Sequence, residues 1–154
     1  MVLFMKIVKE KDANKYGARE LIEYFGSDYI QWLARKIKSP NDLTDKVVKI
    51  LVNDCCECNH SHYKIHKLAE QLRLYDKLTD NDIKIMIKSC LAWYIPELAE
   101  QIRLANKLTD KYIELMIDEC DCRDIPRLVQ QIPDNYKPTK AVIELLEAKG
   151  YKVL

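Results

Sequence analysis

The sequence predicts an all-α fold: a right-handed stack of short helical hairpins, an α-solenoid of about ten helices. Three observations carry this. Thr109, Asp110, Ile113, Met116, Ile117, Cys120, Ile125, Pro126, Leu128 and Gln131 repeat Thr79, Asp80, Ile83, Met86, Ile87, Cys90, Ile95, Pro96, Leu98 and Gln101, each 30 positions on. A fixed period of this length marks units that bury their apolar faces only by stacking on neighbours. Inside each unit the apolar residues recur at helical spacing. Only 3 glycines and 5 prolines interrupt the 154 residues.

The first helix of the unit, helix A, places Ile83, Met86, Ile87, Cys90 and Leu91 on one inward face, the i, i+3, i+4, i+7, i+8 pattern. Thr79 suits its N-cap, where the hydroxyl accepts from an otherwise unpaired backbone N–H. Leu78 and Ile83 then stand at the spacing of a hydrophobic staple. The staple recurs as Leu43/Val48 around Thr44, Leu108/Ile113 around Thr109 and Pro138/Ile143 around Thr139. The second helix, B, buries Ile95, Leu98, Ala99 and Ile102, with Pro96 in a first turn that loses nothing by lacking an N–H. Its counterparts are Ile125, Leu128, Val129 and Ile132, Ile65, Leu68, Ala69 and Leu72, and Ile30, Leu33, Ala34 and Ile37.

Taken in order, residues 2–9 read as a lone helix B, 15–25 as helix A, and 29–38 as its partner B. Helices follow at 45–56, 64–74, 80–91, 95–105, 110–120, 125–132 and 140–149, with Gly150 suited to the C′ position of the last. The sequence predicts one domain over 1–154, in hairpin units of roughly 1–27, 28–63, 64–94, 95–124 and 125–154. Such an array begins on B and ends on A, so its ends are complementary halves. Lys6 and Lys9 at one end and Glu147 at the other favour polar caps over head-to-tail docking.

Composition narrows the function. At 48% hydrophobic and 32% charged residues the chain is an ordered globular protein, and a net charge of +1 argues against a generally basic nucleic-acid-coating surface. No apolar run approaches the roughly 18 residues of a membrane span. The N-terminal MVLFMKIVK lacks the features of a signal peptide, so the 6 cysteines are expected as reduced thiols in a cytoplasmic setting. Cys55, Cys90 and Cys120 share one core position of helix A.

The period breaks once. Thr44 to Thr79 is 35 residues, and the extra five fall in loop 56–64, CECNHSHYK. Cys56, Cys58, His60 and His62 are zinc-ligand types at alternating positions, with His66 just beyond. The expectation is a solvated loop and no cofactor, because the spacing lacks two separated ligand pairs. The alternative, if the loop turns tightly, is a structural zinc held by these four residues.

Two further sets stand out. The loop Leu91-Ala92-Trp93-Tyr94 is aromatic where its counterpart Asp121-Cys122-Arg123-Asp124 is polar, so Trp93 and Tyr94 are candidate partner anchors. Trp93 folded back over a helix end is the alternative. Arg73 and Arg103 repeat within Glu-Gln-x-Arg on helix B and are candidate partner contacts, or else a duplicated solvated face. Phosphate-cradling and nucleophile motifs are missing, and Cys58 with His62 has no third residue to orient a base, so no enzyme is expected.

The unit resembles the helical-hairpin repeats of tetratricopeptide, HEAT and pentatricopeptide arrays. Met86-Ile87-x-x-Cys90 and Ala99 are loosely similar to a pentatricopeptide unit, but the period is shorter, so that family's RNA-reading positions do not carry over. The tetratricopeptide Trp, Gly and Tyr signature is missing. What the resemblance implies is a non-catalytic scaffold that binds a protein partner. An RNA-binding array and a zinc-dependent module remain the alternatives, and the oligomeric state stays open.

Overall fold

The computed structural model describes Ile37, residues 39–57 and residues 65–153. The predicted helices at 2–9 and 15–25 lie outside the described residues, as does most of 29–38 and of loop 56–64. Among the described residues the chain is all-helical, with seven α-helices and no strand. None of these helices is long and apolar enough to cross a membrane. The chain divides into two compact units, Met1–Cys58 and Asn59–Leu154. The division falls inside the stretch that breaks the 30-residue period.

In the first unit a 3-10 turn at Pro40–Asp42 leads into α1, Asp45–Glu57. Ser39 caps the turn by accepting from the Asn41 N–H at 3.2 Å, and Thr44 accepts from the Val47 N–H at 3.4 Å. Leu43, Val47, Val48, Leu51 and Val52 are buried, the single stripe that a 3.6-residue period puts on one face.

The second unit holds α2 (Ile65–Leu74), α3 (Asp80–Ser89), α4 (Ile95–Leu104), α5 (Asp110–Glu119), α6 (Ile125–Val129) and α7 (Lys140–Ala148). The B helices α2, α4 and α6 pack in sequence on one another, and the A helices α3, α5 and α7 do the same. Each of α3 and α4 also touches the helices that precede and follow it in the chain. The core between these two rows is Ile83, Met86, Ile87, Ile95, Leu98, Ala99, Ile102, Met116, Ile117, Ile125 and Leu128, all buried at the positions that repeat.

Each A helix of this unit starts on its threonine. Thr79, Thr109 and Thr139 accept from the N–H groups of Asp82, Tyr112 and Val142 at 3.3, 3.3 and 3.2 Å. At Thr79 the bond is reciprocated, since its own N–H donates to the Asp82 carboxylate at 3.4 Å and completes a capping box. Helices α2 and α4 stop by a different device. Asp76 and Asn106 sit in left-handed conformation at φ 55° and 56°. The Lys77 N–H then reaches back to the Leu72 carbonyl and the Lys107 N–H to that of Ile102, the 6→1 bond that satisfies the last turn. Gly150 closes α7 in the same way at φ 84°, with the Tyr151 N–H on the Leu146 carbonyl.

Two expectations are corrected. Helices α3 and α5 end at Ser89 and Glu119, and Cys90 and Cys120 are buried C-caps with extended backbone rather than helical residues. The helical period therefore stops before Leu91, which is 56% exposed instead of facing the core. Helix α6 stops at Val129, not 132, because the following i→i+3 bonds from Gln131 to Leu128 and from Ile132 to Val129 tighten the chain towards Pro133. Val129 and Ile132 are only half-buried as a result.

Candidate interaction surface

The two predicted contact sets lie at opposite ends of the B helices. Leu91 starts the connection from α3 to α4, and the Tyr94 N–H donates to the Leu91 carbonyl at 2.8 Å to close a 3-10 turn over Ala92–Tyr94. This turn sends the two aromatics in different directions. Tyr94 is half-buried against the His66 ring of α2, with ring centroids 5.0 Å apart, while Trp93 stays 55% exposed and meets Tyr94 edge-on at 6.2 Å. Trp93 and Leu91 together make an apolar projection on a backbone fixed by hydrogen bonds.

One repeat later the same turn is ionic. Asp121 accepts from the Arg123 N–H at 2.9 Å and from its guanidinium at 3.1 and 3.2 Å. These bonds from Arg123 hold the Asp121 carboxyl down at about 2. Cys122 is exposed beside it, whereas burial pushes the neighbouring Cys120 thiol up to about 11.

Arg73 and Arg103 stand at the far end, on the last turns of α2 and α4. Arg73 donates through Nε to Gln101 at 2.9 Å, and Arg103 through Nε to Gln131 at 3.2 Å, so each arginine is held by the glutamine of the next repeat. Trp93 precedes the ten-residue helix α4 and Arg103 stands in its last turn, and a helix of that length is about 15 Å long. Arg73 and Arg103 thus belong to one ladder, Trp93 and Tyr94 to another patch.

The exposed leucines beside the ladder were not anticipated. Leu74 and Leu104 follow the two arginines and are 65% and 44% exposed. Their signal was in the sequence, as a 30-residue repeat two positions past Leu72 and Ile102, the last residues of the buried stripe. The proposed zinc ligands Cys58, His60 and His62 lie outside the described residues, and so does the side chain of Cys56. Among the described residues no three His, Cys, Asp or Glu side chains gather where they could hold a metal ion.

Other side-chain bonds also run from one repeat to the next. The Tyr112 hydroxyl donates to Asp80, Tyr136 to Asp110, and Arg127 pairs with Glu97 at the equivalent position one repeat back. Lys149 of α7 donates to the Asp118 and Cys120 carbonyls at 2.9 and 3.1 Å, where a cation complements the end of α5. Comparison with family models, with curated proteins and with solved structures finds no match for this chain.

Proposed function

We propose that the chain is a non-catalytic interaction scaffold, an α-solenoid of helical hairpins that presents fixed side chains to a protein partner. What carries the reading is Trp93. A large aromatic held 55% exposed on a short hydrogen-bonded turn, next to an exposed Leu91, loses little conformational freedom when a partner covers it. The Arg–Gln bonds between repeats support the same reading, since they fix neighbouring hairpins relative to each other. The setting we propose is cytoplasmic.

Capture of the tagged protein from its native cell extract, with and without nuclease, tests this. The expected result is a nuclease-resistant protein partner in near-stoichiometric amount, lost in Trp93→Ala at unchanged helical signal and melting temperature. Recovery that collapses on nuclease treatment would replace this reading with a nucleic-acid-binding array.

A further inference from the structure

We infer that the protein partner engages this chain through a lysine side chain, whose ammonium sits over the C-terminal end of α3 between Trp93 and Glu119. This rests on the scaffold reading and deepens it, naming the group that meets Trp93. The observation behind it is that the chain fills the equivalent place one repeat later with a lysine of its own, Lys149.

Lys149 Nζ donates to the Asp118 and Cys120 carbonyls at 2.9 and 3.1 Å. Thirty positions back, those acceptors correspond to Lys88 and Cys90, and Lys149 itself corresponds to Glu119. The two helix ends are built alike. Cys90 and Cys120 are both extended C-caps, at φ −70°, ψ 139° and φ −75°, ψ 143°, and their N–H groups donate to Met86 and Met116. Helix α5 packs on α3 as α7 packs on α5. The Lys88 carbonyl lies in the last turn of α3, where no intrahelical N–H reaches. An ionised carboxylate at 119 accepts hydrogen bonds and donates none. The end of α3 thus combines the same acceptor geometry with an anion where the end of α5 meets a cation.

Trp93 completes the set. It stands where the next repeat has Arg123, follows the Cys90 cap within one short turn, and is 55% exposed. An indole face attracts a cation, and a lysine stem lies along apolar surface such as Trp93 and Leu91 while its three N–H donors meet carbonyl and carboxylate oxygens. The surrounding charges agree. Lys84 and Lys88 of α3 stand in register with Glu114 and Asp118 of α5, opposite in sign. Arg123 is held by Asp121, and Arg127 by Glu97 and Asp124. Among the described residues no cation pairs with Glu119, which is exposed.

Nitrogen-15 NMR titration of the full chain tests this. The probe is the peptide Gly-Ser-Leu-Lys-Leu-Ser-Gly with blocked termini, compared with the same peptide acetylated on its lysine and with spermidine. The lysine peptide is expected to shift the Trp93 indole and the Lys88 and Glu119 amides, and to bind about tenfold or more tighter than the acetylated form. Glu119→Lys supplies from within what the partner brings. It should raise the melting temperature, as no partner-independent loss of a carboxylate would, and weaken the peptide by about tenfold or more. Glu119→Gln removes the charge without adding a cation, and should weaken the peptide by about threefold at an unraised melt. Equal binding of the acetylated peptide, shifts confined to other regions, or full peptide affinity or an unraised melt in Glu119→Lys would overturn the assignment. Spermidine binding as tightly as the peptide would overturn the protein source and make a free polyamine the ligand. The failures are separable. Loss of a native partner in Trp93→Ala but not in Glu119→Lys keeps the scaffold and removes the lysine site, whereas capture of no protein partner removes the scaffold reading.

Discussion

Tyr136 gives its hydroxyl to Asp110 as Tyr112 gives its own to Asp80, although the two tyrosines occupy different places in the repeat. Tyr112 is the third residue of α5, and the matching residue of α7 is Val142. The turn before α7 supplies the missing phenol instead. Burial, reinforced by Asp110, pushes the Tyr136 phenol up to about 12, and Tyr112 is raised by burial and Asp80. A phenol raised in the folded state contributes its full stabilisation below its ordinary value and loses it as pH climbs through the folded one. Urea midpoints are therefore expected to hold up to about pH 10 and to fall between 10 and about 12. Tyr136→Phe should be less stable at neutral pH and should flatten that alkaline fall.

The threonine caps make a graded series. Thr139→Ala and Thr109→Ala should each cost about 1 kcal/mol in chemical unfolding. Thr79→Ala should cost less than either, because position 79 keeps the backbone N–H that donates to the Asp82 carboxylate and so retains half of the capping box.

The left-handed residues predict opposite signs. Gly150→Ala should destabilise by about 1 kcal/mol, all of it backbone strain, since an added Cβ would meet nothing within 4 Å. Asp76→Gly should stabilise by up to about 1 kcal/mol, and Asn106→Gly by less, because asparagine tolerates positive φ better. Melting curves of the three variants check the order.

Thiol labelling should separate three cysteines that lie close in the repeat. Cys122 is exposed and should react with iodoacetamide in the native protein. Cys90 and Cys120 are buried, and the Cys120 thiol stands at about 11, so both should react only after unfolding. Peptide mapping by mass spectrometry reads the result.

Much of this fold was legible because one unit is written twice almost residue for residue. The threonine caps, the staples, Pro96 and Pro126 and the buried stripe all follow from local rules that act within a single turn. What was not legible depends on the neighbouring repeat. The third residue of each described A helix is buried, as Val47, Asp82, Tyr112 and Val142, yet these share no chemistry and so form no pattern. Arg73 and Arg103 read as solvated or partner-facing residues, and only the stacking of α2 on α4 and α4 on α6 shows that glutamines hold them. Leu91 was misplaced because periodicity alone does not say where a helix stops.

The side-chain links between repeats all span about one period: 26 for Tyr136 to Asp110, 28 for each Arg–Gln bond, 32 for Tyr112 to Asp80. Chains whose contacts join nearby stretches close small loops and fold quickly. Each hairpin of the second unit can settle as soon as the one behind it has been made, without waiting for a distant strand of chain. During synthesis the Asn59–Leu154 unit would then grow from its first hairpin onward, leaving only the newest apolar face uncovered.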